Sequence, residues 1–325
     1  MAFCSARSAE RFCSSFALAL AVVSLLCVSM PLEAATFRVA VMGDSISAGN
    51  GVSGGSPNWI GQLKPTNFFT FTNKAVGGAT SNTVVSGQLA SVVNLAHTGQ
   101  IDASVLMIGG NDATTNIGFV TSGNTQQFID IYYNNVKNIV DSISAANPAV
   151  KQVFVNMPDV TLTPLVQSYA TQYGFTQQQL AALSDAIHQT NLAIDAYVLS
   201  KGIPIVDFGG ASPELLAAFP LSLGGATFTT PFAPDNFHPA PVVQGLLANL
   251  VDTAFNLGYG LSLPILSDQQ IARNAGKTPN NLTTYFDVSP FILLPVPETS
   301  PVMLVGVVLA IGCGYQAARK LRRAV

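Results

Sequence analysis

Charge is scarce in this chain of 325 residues, because only 10% of its side chains are Asp, Glu, Lys or Arg. An average soluble protein carries about 25%. The interval 36–300 holds 8 basic and 15 acidic side chains, so it has no basic stripe that would neutralise phosphates. We therefore expect no nucleic-acid partner.

Cysteine is absent from residues 36–300, which excludes disulfides, a thiolate nucleophile and Cys-ligated zinc from the main body. Histidine is almost as rare, and no two histidines are closely spaced. We therefore predict no metal site and no organic cofactor. The four cysteines are Cys4, Cys13, Cys27 and Cys313, and the three histidines are His97, His188 and His238.

The N-terminal residues 1–35 have the pattern of a secretory signal peptide. Arg7 and Arg11 form a positive region before the apolar run Phe16–Val28, and the segment Leu32–Ala35 supplies a small-residue cleavage site. The alternative is a transmembrane anchor, but the apolar run is short for a bilayer. We predict that the protein is exported and that this segment is removed.

The C-terminal residues 301–325 have a different pattern. Val296-Pro297-Glu298 precedes an apolar run over Pro301–Ala318 and a basic cluster over Arg319–Arg323. This order resembles the PEP-CTERM sorting signal of Gram-negative bacteria, which implies a transmembrane anchor that a sorting peptidase of the membrane removes. The body would then be periplasmic, at the cell surface or secreted, after first being membrane-anchored. The alternative is a permanent inner-membrane anchor with the body in the periplasm.

Between these ends, short apolar strands alternate with segments of helical period. Helical periodicity appears over 128–143, 180–198 and 242–255. The pattern predicts a three-layer α/β/α sandwich with a mainly parallel sheet over 36–257, followed by an irregular extension over 258–300. The predicted strands are Phe37–Met42, Phe69–Thr72, Ser104–Ile108, Val150–Asn156 and Ile203–Phe208.

Four polar blocks follow predicted strands or precede the last helix, where functional groups of an open α/β sheet collect. Ser45 follows the first strand and is a candidate nucleophile, while His238 is a candidate base that would take its proton. Asp235, three residues earlier, would orient the imidazole. The backbone amides of Ser45 and Gly78 and the side chain of Asn111 would form an oxyanion hole.

These blocks resemble the GDSL, or SGNH, hydrolase family, whose four letters fall here on Ser45, Gly78, Asn111 and His238. Asn156–Asp159 also resembles a block of its lipase-like branch. The resemblance implies a flavodoxin-like fold and a serine esterase or lipase that forms an acyl-enzyme. It also implies an ester substrate, either a lipid or an acylated glycan.

Each candidate residue also has a structural interpretation. Ser45 would cap a helix, Gly78 would permit a tight turn, and Asn111 would cap its own loop. We assign Asp112 a structural role. Asp207 also follows a predicted strand and is the alternative partner for the histidine, although it lacks the short tether that Asp235 has.

Two other features are assigned no catalytic role. His97 and His188 have no carboxylate three residues before them, so we interpret them as structural or surface residues. Gly49–Gly54 matches the letters of a dinucleotide fingerprint, but its first glycine comes six residues after Gly43. We interpret it as a flexible loop beside the active site.

Three functions follow from the same residues. The first is hydrolysis of carboxylic esters. The second keeps the acyl-enzyme, as an acyltransferase or a carbohydrate O-deacetylase. The third is a non-catalytic surface or matrix-binding protein, which the C-terminal sorting pattern and the low charge would suit.

Overall fold

The computed structural model describes residues 36–52, 56–280 and 283–296. The signal peptide predicted for 1–35 and the sorting anchor predicted for 301–325 lie outside the described residues. Within those described ranges, no helix has the length and apolar character needed to cross a bilayer.

A six-stranded sheet forms the centre of the protein. The strands of the described residues are β1 Phe37–Gly43, β2 Phe69–Asn73, β3 Ala103–Met107, β4 Lys151–Val155, β5 Ile205–Val206, β6 Leu221–Leu223, β7 Ala226–Phe228 and β8 Ile292–Leu293. The order in the central sheet is β2-β1-β3-β4-β5-β8, and within this sheet only β8, at one edge, runs antiparallel to its neighbour. Strands β6 and β7 pair separately as a hairpin.

Helices cover both faces of the sheet, as predicted. The α-helices of the described residues are α1 Ser45–Ala48, α2 Trp59–Leu63, α3 Ser81–Thr83, α4 Leu89–His97, α5 Gly110–Thr115, α6 Ile117–Thr121, α7 Thr125–Ala146, α8 Pro164–Gln172, α9 Gln177–Ser200, α10 Phe208–Ala217, α11 Pro241–Tyr259 and α12 Asp268–Asn274. The three segments for which the sequence predicted a helical period lie in α7, α9 and α11.

The sheet separates two hydrophobic cores. In β1, Val39 and Val41 pack into the cluster that contains the buried face of α11, whereas Ala40 and Met42 pack into the cluster with α7 and α9. This alternation follows from the two-residue side-chain period of a strand. Since both faces are buried, the strands are continuous apolar runs, and the predicted fold class is confirmed.

Strand β5 is shorter than the predicted Ile203–Phe208. Pro204 has no N–H to donate to a neighbouring strand. At the other end, the Asp207 side chain accepts a hydrogen bond from the Gly210 N–H at 2.9 Å and thereby caps α10. The strand is therefore confined to the two residues between them.

The segment predicted as an irregular extension over 258–300 is partly regular. It contains α12 and β8, and Leu266, Ile271 and Val288 belong to the same hydrophobic core as α11. The Asn249 side chain of α11 holds the chain just before α12. Its Nδ2 donates a hydrogen bond to the Leu266 C=O, and its Oδ1 accepts the Leu266 N–H, each at 2.8 Å. These elements are too short for their periodicity to be visible in the sequence.

Candidate active site

Ser45 is the first residue of α1, separated from the end of β1 by Asp44 alone, and it is 6% exposed. Asp44 caps this helix, because its Oδ1 accepts the Ile46 N–H at 3.0 Å. The interpretation of Ser45 as the helix cap is therefore wrong, and its hydroxyl is not used for capping. Burial raises the pKa of the Asp44 carboxyl to about 7.

The loop before α11 supplies a histidine–carboxylate pair. Asp235 Oδ2 lies 2.6 Å from His238 Nδ1, and Asp235 Oδ1 accepts the backbone N–H groups of Phe237 and His238, each at 3.0 Å. Burial opposes ionisation of Asp235. The hydrogen bonds from His238 and Phe237 outweigh it, so the pKa of this carboxyl lies below its usual range. The pair is therefore held with an ionised carboxylate on Nδ1.

The Nδ1 contact leaves Nε2 as the ring nitrogen of His238 that can take a proton. Nε2 is buried and has no hydrogen-bond partner in the described part of the chain. His238 and Ser45 line the same cavity. Nε2 and the Ser45 hydroxyl therefore share a cavity without being hydrogen-bonded to each other. General-base activation requires them to come within hydrogen-bond reach when substrate is bound.

Residues after β3 hold the loop that contains Gly78. Asn111 Nδ2 donates a hydrogen bond to the Ala79 C=O at 2.9 Å, which leaves its second N–H available. The buried Asp112 carboxylate accepts the Ser81 N–H and, at 2.5 Å, the Ser81 hydroxyl. Asp112 thus has the structural role expected of it, and burial raises its pKa to about 6.

Gly78 has φ +78°, which favours glycine, and a Cβ there would meet nothing within 4 Å. The residue is exposed, and its Cα is open to solvent on that side. Gly78 itself does not line the cavity that Ser45, Asn111 and His238 share. It is linked to the cavity by its neighbour Ala79, whose C=O accepts the hydrogen bond from the cavity residue Asn111.

Asp207, the alternative partner for the histidine, is engaged elsewhere. Its Oδ1 accepts the Asn156 side-chain amide and the Gly210 N–H, both at 2.9 Å. His97 and His188 lie on exposed helix positions away from this cavity. Of the three histidines and the two candidate carboxylates, only His238 and Asp235 form a pair.

The loop over Gly49–Gly51 contributes a contact that the sequence analysis did not identify. A Cβ on Gly51 would lie 2.2 Å from the His238 Cβ, so the Gly51 backbone packs directly against the histidine. Asn50 contacts Gly77 in the same way, since a Cβ on Gly77 would lie 2.8 Å from the Asn50 Nδ2. The only sequence signal for this contact is the pair of glycines close behind Ser45.

A cavity with a mainly apolar wall opens at Ser45. Seven of its twenty lining residues are polar, and most of the others are aliphatic or aromatic. Such a cavity suits an apolar acyl group. The apolar wall is formed by Ile46, Pro158, Val160, Leu162, Phe208, Leu215, Leu216, Pro231, Phe232, Phe237, Pro239 and Val243.

Solved structures with a similar fold are lipases and related hydrolases. A lipase from a goat rumen metagenome has a TM-score of 0.51 and 11% identity, over 67% of this chain and 97% of that one. Phospholipase A1 from Streptomyces albidoflavus has a TM-score of 0.48 and 18% identity, over 68% and 100% of the two chains. An extracellular lipase from Streptomyces rimosus has a TM-score of 0.48 and 18% identity, over 67% and 100%. The goat rumen lipase, with a TM-score above 0.5 but only 11% identity, supports the assignment of the fold and nothing further.

Comparison with curated proteins returned no significant match. In contrast, the model of the GDSL-like lipase/acylhydrolase family matches residues 41–244, which is more than half of the chain and includes every candidate site residue. The protein therefore belongs to the GDSL-like lipase/acylhydrolase family and is a serine ester hydrolase.

Proposed function

We propose that the protein hydrolyses carboxylic esters through an acyl-enzyme on Ser45. The observation that carries this proposal is the 2.6 Å contact between Asp235 and His238, with His238 lining the same cavity as Ser45. His238 Nε2 takes the hydroxyl proton while Ser45 Oγ attacks the ester carbonyl carbon. Asp235 keeps the proton on Nδ1 and stabilises the imidazolium.

The attack converts the carbonyl oxygen into an oxyanion. In this proposal the backbone amides of Ser45 and Gly78 and the free N–H of Asn111 donate to it. The intermediate then collapses, the ester C–O bond breaks, and His238 returns its proton to the departing alcohol. Water, deprotonated by the same histidine, attacks the acyl-enzyme. The bond between the acyl carbon and Ser45 Oγ then breaks, the histidine returns the proton to Oγ, and the carboxylic acid leaves.

The apolar cavity supports an apolar acyl group. Phe232 and Phe237 line the cavity. Another pair of phenylalanines, Phe68 and Phe69, does not line it, because Phe68 is half exposed and Phe69 packs against Phe37 and Phe71 in the core. The proposed substrate is therefore a lipid-like ester rather than an acetylated glycan.

Ser45→Ala tests the mechanism in the full-length protein. Hydrolysis of a p-nitrophenyl ester should fall to the background rate, because no nucleophile remains. A fluorophosphonate should label the wild type at Ser45 and leave the variant unlabelled. Ser142→Ala, on α7 and outside the cavity, is the matched control and should retain full activity. Unchanged hydrolysis in Ser45→Ala would refute the acyl-enzyme.

A chain-length series separates the substrate classes. Wild-type kcat/KM should rise from p-nitrophenyl acetate to the longer esters if the acyl group enters the apolar cavity. Higher activity on an acetylated glycan than on every member of the series would favour the O-deacetylase. Adding alcohol acceptors and measuring the new ester formed distinguishes hydrolysis from acyl transfer.

We also propose that the protein is exported and first anchored in the membrane at its C-terminus. The support is the pair of terminal patterns over 1–35 and 301–325, together with the cysteine-free interval between them. Cell fractionation with antibodies against the body and against a C-terminal tag tests this. Loss of the tag from the exported body would indicate removal of the anchor, whereas a cytoplasmic body would contradict export.

A further inference from the structure

Gln88 is a buried polar residue to which the proposed mechanism assigns no part. It is 4% exposed, yet both of its side-chain polar atoms are paired with a single residue. Its Oε1 accepts the Gly43 N–H at 2.9 Å, and its Nε2 donates to the Gly43 C=O at 2.8 Å. The side-chain amide thus pairs with Gly43 as a neighbouring strand would.

A local irregularity of the helix brings Gln88 to this position. Residues Val84–Gln88 form a π-helical segment between α3 and α4. Such segments insert an extra residue into a helical turn and change the direction in which the following side chains point. Thr80 caps the N-terminal end of this helical region, and the buried Asp112 holds Ser81 there, so its start is fixed as well.

Gly43 is the last residue of β1 and has no freedom to accept a side chain. Its φ is +154°, and a Cβ there would lie 2.2 Å from the Met107 C=O in β3. Its own C=O also accepts the Val76 N–H at 3.1 Å. The Gly43 C=O therefore accepts two hydrogen bonds, one from the Gln88 side-chain amide and one from the backbone of the loop that continues to Gly78.

Gly43 connects the two segments that carry the backbone donors of the proposed oxyanion hole. It precedes Ser45 by two residues in the chain, and Val76 precedes Gly78 by two residues. Without the Gln88 amide, the Gly43 C=O would keep the hydrogen bond from the Val76 N–H alone. The Gly43 N–H would be buried without an acceptor.

We propose that Gln88 is a positioning residue that holds the Ser45 and Gly78 amides in one geometry for the developing oxyanion. The proposal rests on the proposed function of Ser45, but it adds a residue that touches neither substrate nor nucleophile. Displacement of the oxyanion donors destabilises the transition state more than the bound substrate. Loss of Gln88 should therefore lower kcat more than it raises KM.

Gln88→Met tests the proposal, since methionine has a similar length and no hydrogen-bonding amide. We expect kcat to fall about tenfold to a hundredfold with KM changed less than twofold. The inhibition constant of an alkyl boronic acid, which forms a tetrahedral adduct with the serine, should rise by the same factor as kcat/KM falls. Hydrogen–deuterium exchange should accelerate in peptides covering 41–47 and 74–79.

A second variant covers the case in which Gln88→Met does not fold. Gln88→Glu keeps an acceptor for the Gly43 N–H and replaces the donor with an oxygen that repels the Gly43 C=O. It should show the same loss of kcat and the same local exchange. The matched control is Gln152→Met. This buried glutamine lies near the N-terminal end of β4, whereas the candidate site follows the C-terminal ends of the strands. Its Nε2 donates hydrogen bonds to the Val140 C=O at 3.3 Å and to the Ser144 hydroxyl at 2.8 Å. It should keep kcat within twofold.

The outcomes separate the two proposals. If Ser45→Ala is as active as the wild type, the proposed function fails, whereas exchange at 41–47 and 74–79 still measures whether Gln88 holds these segments. If the wild type depends on Ser45 and both Gln88 variants keep its kcat, the positioning role is overturned. The same conclusion follows if exchange is unchanged in both segments, or if kcat falls equally in Gln152→Met.

Discussion

Gly51→Ala should lower kcat/KM by displacing His238, although residue 51 carries no functional side chain. The added Cβ would lie 2.2 Å from the His238 Cβ and 2.7 Å from its Cγ. Carbon atoms in contact are separated by about 3.5–4.0 Å. Either the loop or the imidazole must therefore move by about 1.5 Å.

A displacement of this size is large on the scale of catalysis. Misplacing a reacting group by about 1 Å can cost about a hundredfold in rate, or about 3 kcal/mol of transition-state stabilisation. The alanine also adopts an unfavourable backbone, because φ at residue 51 is +80°. That strain should lower the free energy of unfolding by about 1–2 kcal/mol.

Gly202→Ala separates the two effects. Gly202 has φ +76°, but a Cβ there would meet nothing within 4 Å, and the residue lies in the turn that leads into β5. Both variants carry the backbone strain, so the stability that Gly202→Ala loses in urea denaturation measures that cost without the clash. Only Gly51→Ala should lose kcat/KM, by about a hundredfold on a p-nitrophenyl ester. A kcat/KM within threefold of that of Gly202→Ala would refute the proposed packing role of Gly51.

Three further predictions concern the carboxylates and the cavity. Asp235→Asn should lower kcat about 10²- to 10³-fold, because an amide at Nδ1 disfavours the tautomer that leaves Nε2 free; kcat within threefold of the wild type would contradict the assignment. Burial raises the pKa of Asp44 to about 7, of Asp112 to about 6 and of Asp195 to about 8. In the unfolded chain these carboxyls release their protons near pH 4, so the stability that they contribute is fully present below about pH 4. It is lost as pH rises towards 8, by about 1.4 kcal/mol per pH unit for each carboxyl that is still protonated in the folded protein. Urea denaturation at pH 5 and 8 measures this fall, which should be smaller in Asp195→Asn while its kcat at pH 5 is unchanged; an equal fall in both proteins would show that Asp195 is not responsible. Leu216→Trp should lower kcat/KM for p-nitrophenyl octanoate about tenfold and spare the acetate, because the larger ring fills the acyl cavity; equal losses on both esters would contradict that role of the cavity.

Local patterns in the sequence were sufficient to predict most of the framework. Strands buried on both faces are continuous apolar runs, and the long helices have a clear 3.6-residue period, so β1, α7, α9 and α11 were predictable. The pairing of Asp235 with His238 was predictable for a similar reason, since a turn of three residues brings the two side chains together.

The site as a whole depends on contacts between distant segments, which no local pattern encodes. The cavity wall combines residues from the ends of β1 and β4, from α10 and from the loop before α11. The same applies to α12 and β8, whose few residues have no recognisable period but complete the core and the sheet edge.

By itself, then, the amino-acid sequence determined the layered fold and the chemical identity of the candidate nucleophile, base and acid. Periodicity and short-range turns are properties of neighbouring residues. Only the tertiary structure decided that Gly51 packs against His238 and that the Gln88 amide pairs with Gly43. Those contacts arise because close packing of the folded chain brings together backbone groups that are remote in sequence, and a glycine or a glutamine gives no sign of this in the sequence.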